Sequence, residues 1–241
     1  MINHNLINEC VCGNKTTFNT YVTNSILVAK CDKCGVVHQS LPGWNSEKYV
    51  KFYESDYHEH YQESRGTETY TARYNHDRNV SKLRLNEYTP VINKGSVGLD
   101  IGSSNSAFVH ECNDQGYKVI GLEPGKHIGD NQVTIRGTLE SVNLEGNHYD
   151  FITMHDSIEH MVNINSALEK IHNLLASNGV LILDLPDYFN TAGKHHWKHI
   201  EHLWFFSKDD MISILSRHNL QVFKITEPIP GKLVFYSRKK Q

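Results

Sequence analysis

The sequence contains no apolar run approaching the roughly 20 residues that a membrane-spanning helix needs, and it has no internal repeat and no low-complexity tract. A membrane span, a solenoid array and a disordered chain are thereby set aside. Nor does one sign of charge dominate: 27 acidic and 24 basic residues are interleaved and leave a formal net charge of -3. A phosphate backbone would find no basic stripe, so nucleic acid is disfavoured as a partner. The opening residues Met1 to Asn5 lack the basic and apolar stretches of a secretory signal, and the expected location is the cytoplasm. Cysteine is scarce, at five. Four of the five lie in two tight pairs near the amino terminus, a pattern that in a reducing compartment points to metal rather than disulfides. Histidine is abundant, at sixteen, and a count alone cannot separate metal ligation, base catalysis and surface polarity.

A length of 241 residues suits one α/β core with a small appendage. The character of the chain changes near Glu54 and again near Val97, and three parts are expected: a small module at 1–45, a tyrosine-rich connector at 46–70, and the main domain at 71–241. The first part holds short strand-like pieces, Ile26 to Ala29 and Val36 to Val37, punctuated by glycine and cysteine. The connector leads into a helix from about Thr71 to Tyr88, terminated by Pro90. Beyond Val97 apolar strands and amphipathic helices alternate. The strands are Val97 to Ile101, Lys118 to Leu122, Gln132 to Ile135, Tyr149 to Met154, Val180 to Leu185, Leu220 to Thr226 and Lys232 to Ser237; the helices are Ala107 to Asp114, Ile164 to Leu175 and Lys208 to Arg217. This alternation predicts a mostly parallel, Rossmann-like seven-stranded sheet covered on both faces. The last two strands have no helix between them and predict an antiparallel carboxy-terminal edge hairpin.

The segment Val97 to Phe108 reads as a buried strand, a tight turn and a helix start. In a sheet of this class ligands sit beyond the carboxyl ends of the strands, where this turn lies. Glu123 ends the next strand about 20 residues after the glycine turn, the place for a carboxylate that accepts ribose hydroxyls. A dinucleotide would require further glycines for backbone approach to its pyrophosphate, and Ser104 and Ser106 stand there instead. S-adenosylmethionine (SAM) carries no phosphate and tolerates small side chains in the turn, so the loop favours SAM over NAD.

Leu99 to Ser106 is similar to the first motif of class I SAM-dependent methyltransferases. Tyr149 to His160 resembles their fourth-strand motif with its terminal Glu-His pair, and Asn178 to Pro186 resembles their turn and fifth strand. The resemblance implies that Asp100, Gly102 and Ser103 hold the methionine end, Glu123 the ribose, Thr138 and Leu139 the adenine, and that His155 lines the cleft. Glu159 and His160 read as capping and positioning a helix rather than touching the ligand. Another Rossmann-like protein would also satisfy an Asp-Ile-Gly turn followed by a distant acid.

Cys10 and Cys12 precede Cys31 and Cys34, and each pair is followed by a glycine, Gly13 or Gly35. Two such turns can present four thiolates to one structural Zn2+, with no position left open for water. The first pair is Cys-x-Cys rather than Cys-x-x-Cys, and a loop with reduced thiols is the alternative. The arrangement resembles the zinc-ribbon-like amino-terminal module of some bacterial methyltransferases, including those that methylate carbon on nucleotide-linked deoxysugars. The tyrosine-rich connector of that group is similar to Glu47 to Tyr61.

An insertion from Pro186 to Ser207 is rich in aromatic and imidazole groups and is placed to form a substrate lid. Its end, Glu201 to Ser207, is similar to the Glu-His-x-x-Tyr-Phe-Ser segment of the sugar C-methyltransferases. That resemblance implies acid/base work for His202 with Glu201, and Tyr57 or Tyr61 stands next in line. A metal-binding histidine cluster and a purely structural aromatic lid are the competing readings. The expected function is methyl transfer from SAM to a small polar acceptor, a nucleotide sugar or surface-glycan sugar, at carbon, oxygen or nitrogen. The rivals are an RNA methyltransferase with a zinc module and a non-catalytic SAM-binding module.

Overall fold

A computed structural model describes residues 6–15, 18–56, 69–125, 130–144, 146 and 148–241. Tyr57 and Tyr61 of the connector lie outside the described residues. Among the described residues, eleven strands fall into two sheets. The larger sheet has seven strands in the order β10-β11-β8-β7-β4-β5-β6, formed by β4 (Val97–Ile101), β5 (Lys118–Glu123), β6 (Thr134–Arg136), β7 (Tyr149–His155), β8 (Leu175–Pro186), β10 (Leu220–Ile229) and β11 (Lys232–Lys239). Strand β4 runs parallel to both β5 and β7, β5 runs parallel to β6, and β10 pairs antiparallel with β11. This is the expected Rossmann-like architecture with its edge hairpin. Each expected strand is present, and helices Ala107–Asp114 and Lys208–Arg217 have the predicted bounds. One detail differs: Asn178 and Gly179, read as a turn, lie within β8. Gly179 permits that course, because a β-carbon there would come 2.8 Å from the Tyr149 carbonyl oxygen.

The chain forms two compact units. One comprises Val50–His155 and Asn173–Leu181. Its parallel strands carry apolar residues on both faces, and Leu99, Phe151, Ile152 and Leu181 are fully buried. Two helices of this unit pack together, α1 (Tyr70–Tyr88) and α2 (Ala107–Asp114). The Thr69 hydroxyl caps α1 by accepting from Ala72 N at 3.2 Å. Ion pairs join the two helices, with the Arg78 guanidinium 2.8 Å from Glu111 and 2.6 Å from Asp114.

The other unit comprises Met1–Tyr49, Asp156–His172 and Ile182–Gln241. It holds the smaller sheet, in the order β1-β2-β3-β9: β1 (Phe18–Thr23), β2 (Ile26–Cys31), β3 (Val37–Gln39) and β9 (Trp204–Phe205). The fourth strand therefore comes from the Pro186 to Ser207 insertion, with Val37 opposite Phe205 and His38 opposite Trp204. Ile26, Val28, Val37, Tyr188 and Phe205 form its core, and Trp197 stacks on Phe205 at 4.1 Å. Gln39 is wholly buried and clamps the insertion. Its Nε2 donates to the carbonyls of Lys198 (3.1 Å) and His202 (3.2 Å), and its Oε1 accepts from Ile200 N (2.7 Å). Helix α3 (Lys208–Arg217) follows directly. It opens on a capping box in which Ser207 Oγ accepts from Asp210 N and Asp210 accepts from Ser207 N.

Candidate functional site

In the unit containing Val50–His155, β4 ends at the turn after Asp100, and Gly102 takes a φ of +80°. Gly102 N and Ser103 N both donate to the Leu122 carbonyl, at 2.8 and 3.2 Å, which draws the turn against the end of β5. Ser104 and Ser106 also have positive φ, 49° and 63°. The serines thus adopt the left-handed backbone that glycine adopts without strain. Ser106 has compensation, since its hydroxyl lies 2.7 Å from Thr134 Oγ1 and accepts from Asp130 N at 3.2 Å. Asn105 is tied on both sides, donating to Asp77 Oδ2 at 2.7 Å and accepting from Ala107 N at 3.2 Å.

Glu123 stands at the end of β5, and its carboxylate is oriented by two backbone donors. Ser104 N lies 2.9 Å from Oε2 and Gly125 N lies 2.8 Å from Oε1. Each oxygen retains capacity for another donor. Burial pushes this carboxyl above the usual carboxylate range, the two N–H groups oppose that shift, and the Asp100 charge adds to it. Close approach matters here: a β-carbon on Gly121 would meet Ser103 Oγ at 2.4 Å and Thr134 Oγ1 at 2.6 Å. Ser103 Oγ is buried and has no hydrogen-bond partner among the described residues. An unsatisfied hydroxyl in the turn and a carboxylate with spare acceptor capacity suit a ligand bearing both polar groups and a ribose.

Asp100 is buried, and its Oδ1 accepts from Thr153 Oγ1 at 2.7 Å and lies 3.2 Å from His155 Nδ1. His155 Nε2 in turn is 3.1 Å from the Tyr88 hydroxyl, and the two rings lie parallel at 5.9 Å. Asp100 and His155, singled out separately in the sequence, are thus neighbours in one polar chain that also includes Thr153 and Tyr88. Nothing in the sequence pattern marks those two. Thr138 and Leu139 follow β6; Thr138 caps a turn with Ser141 through mutual hydrogen bonds, and Leu139 is buried.

In the unit containing Ile182–Gln241, the expected pair of His202 and Glu201 diverges. The Glu201 carboxylate lies 3.2 Å from Lys198 Nζ, while its backbone carbonyl accepts from His160 Nδ1 (2.6 Å) and the Tyr49 hydroxyl (3.0 Å). His202 Nδ1 instead meets the Tyr188 hydroxyl at 2.7 Å, and its ring stands edge-on to that of His160 at 4.7 Å. Burial holds His202 well below the ordinary imidazole range and His160 down to about 4, so both rings are neutral at pH 7. Glu159 is 0% exposed, and neither carboxylate oxygen is in a well-formed hydrogen bond among the described residues. Burial, reinforced by the Asp156 charge, raises its carboxyl to about 8.

The four amino-terminal cysteines converge within the same unit. Cys10 Sγ is 3.4 Å from Cys34 Sγ and Cys12 Sγ is 3.7 Å from Cys31 Sγ, and all four sulfurs lie within 4.8 Å of one another. A tetrahedral Zn2+ with Zn–S bonds of roughly 2.3 Å spaces its sulfurs about 3.8 Å apart, so the donor set fits zinc in both chemistry and spacing. Gly13 and Gly35 have φ of +79° and +82° and turn the chain just beyond each pair. Hydrogen bonds from Asn14 and nearby backbone, acting against burial, draw the Cys31 thiol down to about 6.

No curated protein matches the sequence. Solved structures do match its fold. A Burkholderia thailandensis 1,6-didemethyltoxoflavin-N1-methyltransferase, determined with 1,6-didemethyltoxoflavin and S-adenosylhomocysteine bound, is 15% identical with a TM-score of 0.61, covering 94% of this chain and 100% of its own. A SAM-dependent methyltransferase from Thermotoga maritima is 18% identical with a TM-score of 0.56, over 70% of this chain and 94% of its own. One from Clostridium acetobutylicum is 11% identical with a TM-score of 0.55, over 67% and 91%. The profile of the methyltransferase domain matches residues 72–225, well over half of the sequence. The chain therefore belongs to the methyltransferase domain family and is an enzyme on the fold of the SAM-dependent methyltransferases.

Proposed function

We propose that this enzyme transfers the methyl group of SAM to a small polar acceptor, a nucleotide-linked or surface-glycan sugar, in the cytoplasm. The observation that carries the SAM half is the Glu123 carboxylate, oriented by Ser104 N and Gly125 N at the end of the strand beside the glycine turn. Glu123 would accept the ribose hydroxyls, Gly102, Ser103 and Asp100 would serve the methionine end, and Thr138, Leu139 and His155 would flank the nucleoside. A small acceptor is supported by the Burkholderia protein, which was determined with 1,6-didemethyltoxoflavin and S-adenosylhomocysteine bound. The sugar assignment rests on the similarity of Glu201 to Ser207, of the connector and of the cysteine module to the sugar C-methyltransferases. We assign the module of residues 1–45 a structural Zn2+ on Cys10, Cys12, Cys31 and Cys34, and we assign His202 the task of acting on the acceptor's proton.

The test is incubation with methyl-labelled SAM and separate pools of nucleotide sugars, RNA and proteins. Label in the nucleotide-sugar pool is expected. Label confined to RNA or protein would overturn the acceptor class, and no label in any pool, with SAM bound, would reduce the chain to a SAM-binding module.

A further inference from the structure

Glu159, His160 and His202 each offer one ligand atom, and these atoms all lie within 4.8 Å of one another. Two histidines and a carboxylate at that spacing are the donor set of divalent transition-metal sites that keep positions open for water or substrate. Three further observations favour a built site over a chance meeting.

The first is the carboxylate. Glu159 is 0% exposed with neither oxygen in a well-formed hydrogen bond among the described residues, and polar atoms left unsatisfied at that depth are costly unless a ligand meets them. The second is the orientation of the imidazoles. His160 Nδ1 is held by the Glu201 carbonyl at 2.6 Å and His202 Nδ1 by the Tyr188 hydroxyl at 2.7 Å. Ligating histidines are commonly fixed in this way through the nitrogen that does not bind the metal. The third is rigidity: Leu203 N donates to the Glu159 carbonyl at 2.9 Å and Trp204 Nε1 to the Met161 carbonyl at 2.7 Å, so the two ligand-bearing segments are laced together.

We infer that Glu159, His160 and His202 bind one divalent transition-metal ion through a Glu oxygen and the Nε2 atoms of the two histidines, separate from the cysteine site. The inference deepens the reading of His202 and rests on it for its purpose: a bound ion can take an acceptor hydroxyl into an open position and ease the loss of its proton to water. His202 then acts on that proton through the ion.

Mn2+ is the probe, since thiolate sites select softer ions and the cysteine cluster should not compete for it. The full chain, with its cysteine site already loaded with zinc, is titrated with Mn2+ and free Mn2+ is read by electron paramagnetic resonance. About one equivalent should bind, and Glu159→Gln should weaken binding by at least 30-fold while retaining the parent's circular dichroism. His202→Gln, chosen in case the first variant fails to fold, should weaken it similarly. Absence of Mn2+ binding in the parent, or equal affinity in a folded Glu159→Gln, would overturn the inference. SAM affinity is measured on the same samples and should not change. A parent that binds Mn2+ but not SAM would defeat the methyl-transfer reading and leave the metal site standing.

Discussion

Replacing Glu123 separates a nucleoside site from a merely structural strand end. Its two carboxylate oxygens each hold one backbone N–H, at 2.8 and 2.9 Å, and would each accept one ribose hydroxyl. A hydrogen bond to an ionised acceptor contributes roughly 1.5 to 3 kcal/mol. Water replaces part of that in the variant, so Glu123→Ala should weaken SAM binding by about 2 to 3 kcal/mol, or roughly 30- to 150-fold. Glu123→Gln keeps one oxygen as an acceptor and should lose about tenfold. Isothermal titration calorimetry at pH 8 reads both. The pH dependence supplies a second signature. Burial raises the Glu123 carboxyl, and only its ionised form can accept from both hydroxyls. Affinity in the parent should therefore decline as pH falls through that raised value, earlier than an ordinary carboxylate would allow, whereas Glu123→Gln should show no such decline. Equal affinities for Glu123→Ala and the parent, with unchanged heat stability, would refute the placement of the ribose.

Elemental analysis should find about one zinc per chain on the thiolates and its loss in Cys34→Ser; a parent purified without zinc and with every thiol titratable would contradict the site. Ser104→Gly should stabilise the fold by about 1 kcal/mol by relieving a left-handed φ in an exposed residue, and Ser106→Gly should gain less because it also loses two hydroxyl contacts, so equal shifts in thermal unfolding would count against this account. Gln39→Leu should cost roughly 2 to 3 kcal/mol and expose 198–203 to hydrogen exchange, since three backbone partners lose their contact; unchanged exchange there would show that the clamp is dispensable. His202→Ala should lower turnover roughly 100- to 10,000-fold with SAM affinity nearly unchanged, and full turnover on the true acceptor would move the proton chemistry elsewhere.

How much of this could be read beforehand follows from the range over which each feature is encoded. The seven strands and the bounds of Ala107–Asp114 and Lys208–Arg217 were legible because each is written in a local hydrophobic period. The four cysteines were legible as two pairs, and folding brings the pairs together as their spacing suggested. The smaller sheet was not legible as such. Trp204 and Phe205 are only two residues of strand, too short for a periodic signal, and their partners Val37 and His38 lie more than 160 residues earlier in the chain. Gln39 was missed for the same reason, since a lone glutamine carries no pattern until the chain closes over it.

The histidine-rich insertion finds its neighbouring carboxyl in a segment far from it in sequence. Within Pro186 to Ser207 no carboxylate partner set stood beside the histidines, and Glu201, the nearest candidate, turns to Lys198. The carboxylate that reaches His202 is Glu159, from the turn after β7, with His160 beside it. In the sequence these two residues read as capping and positioning a helix. In the fold Glu159 is fully buried, and its carboxyl lies within ligand distance of His160 and His202. A carboxyl at that depth is costly to ionise without a cation beside it, and a divalent ion held by the two histidines would supply one.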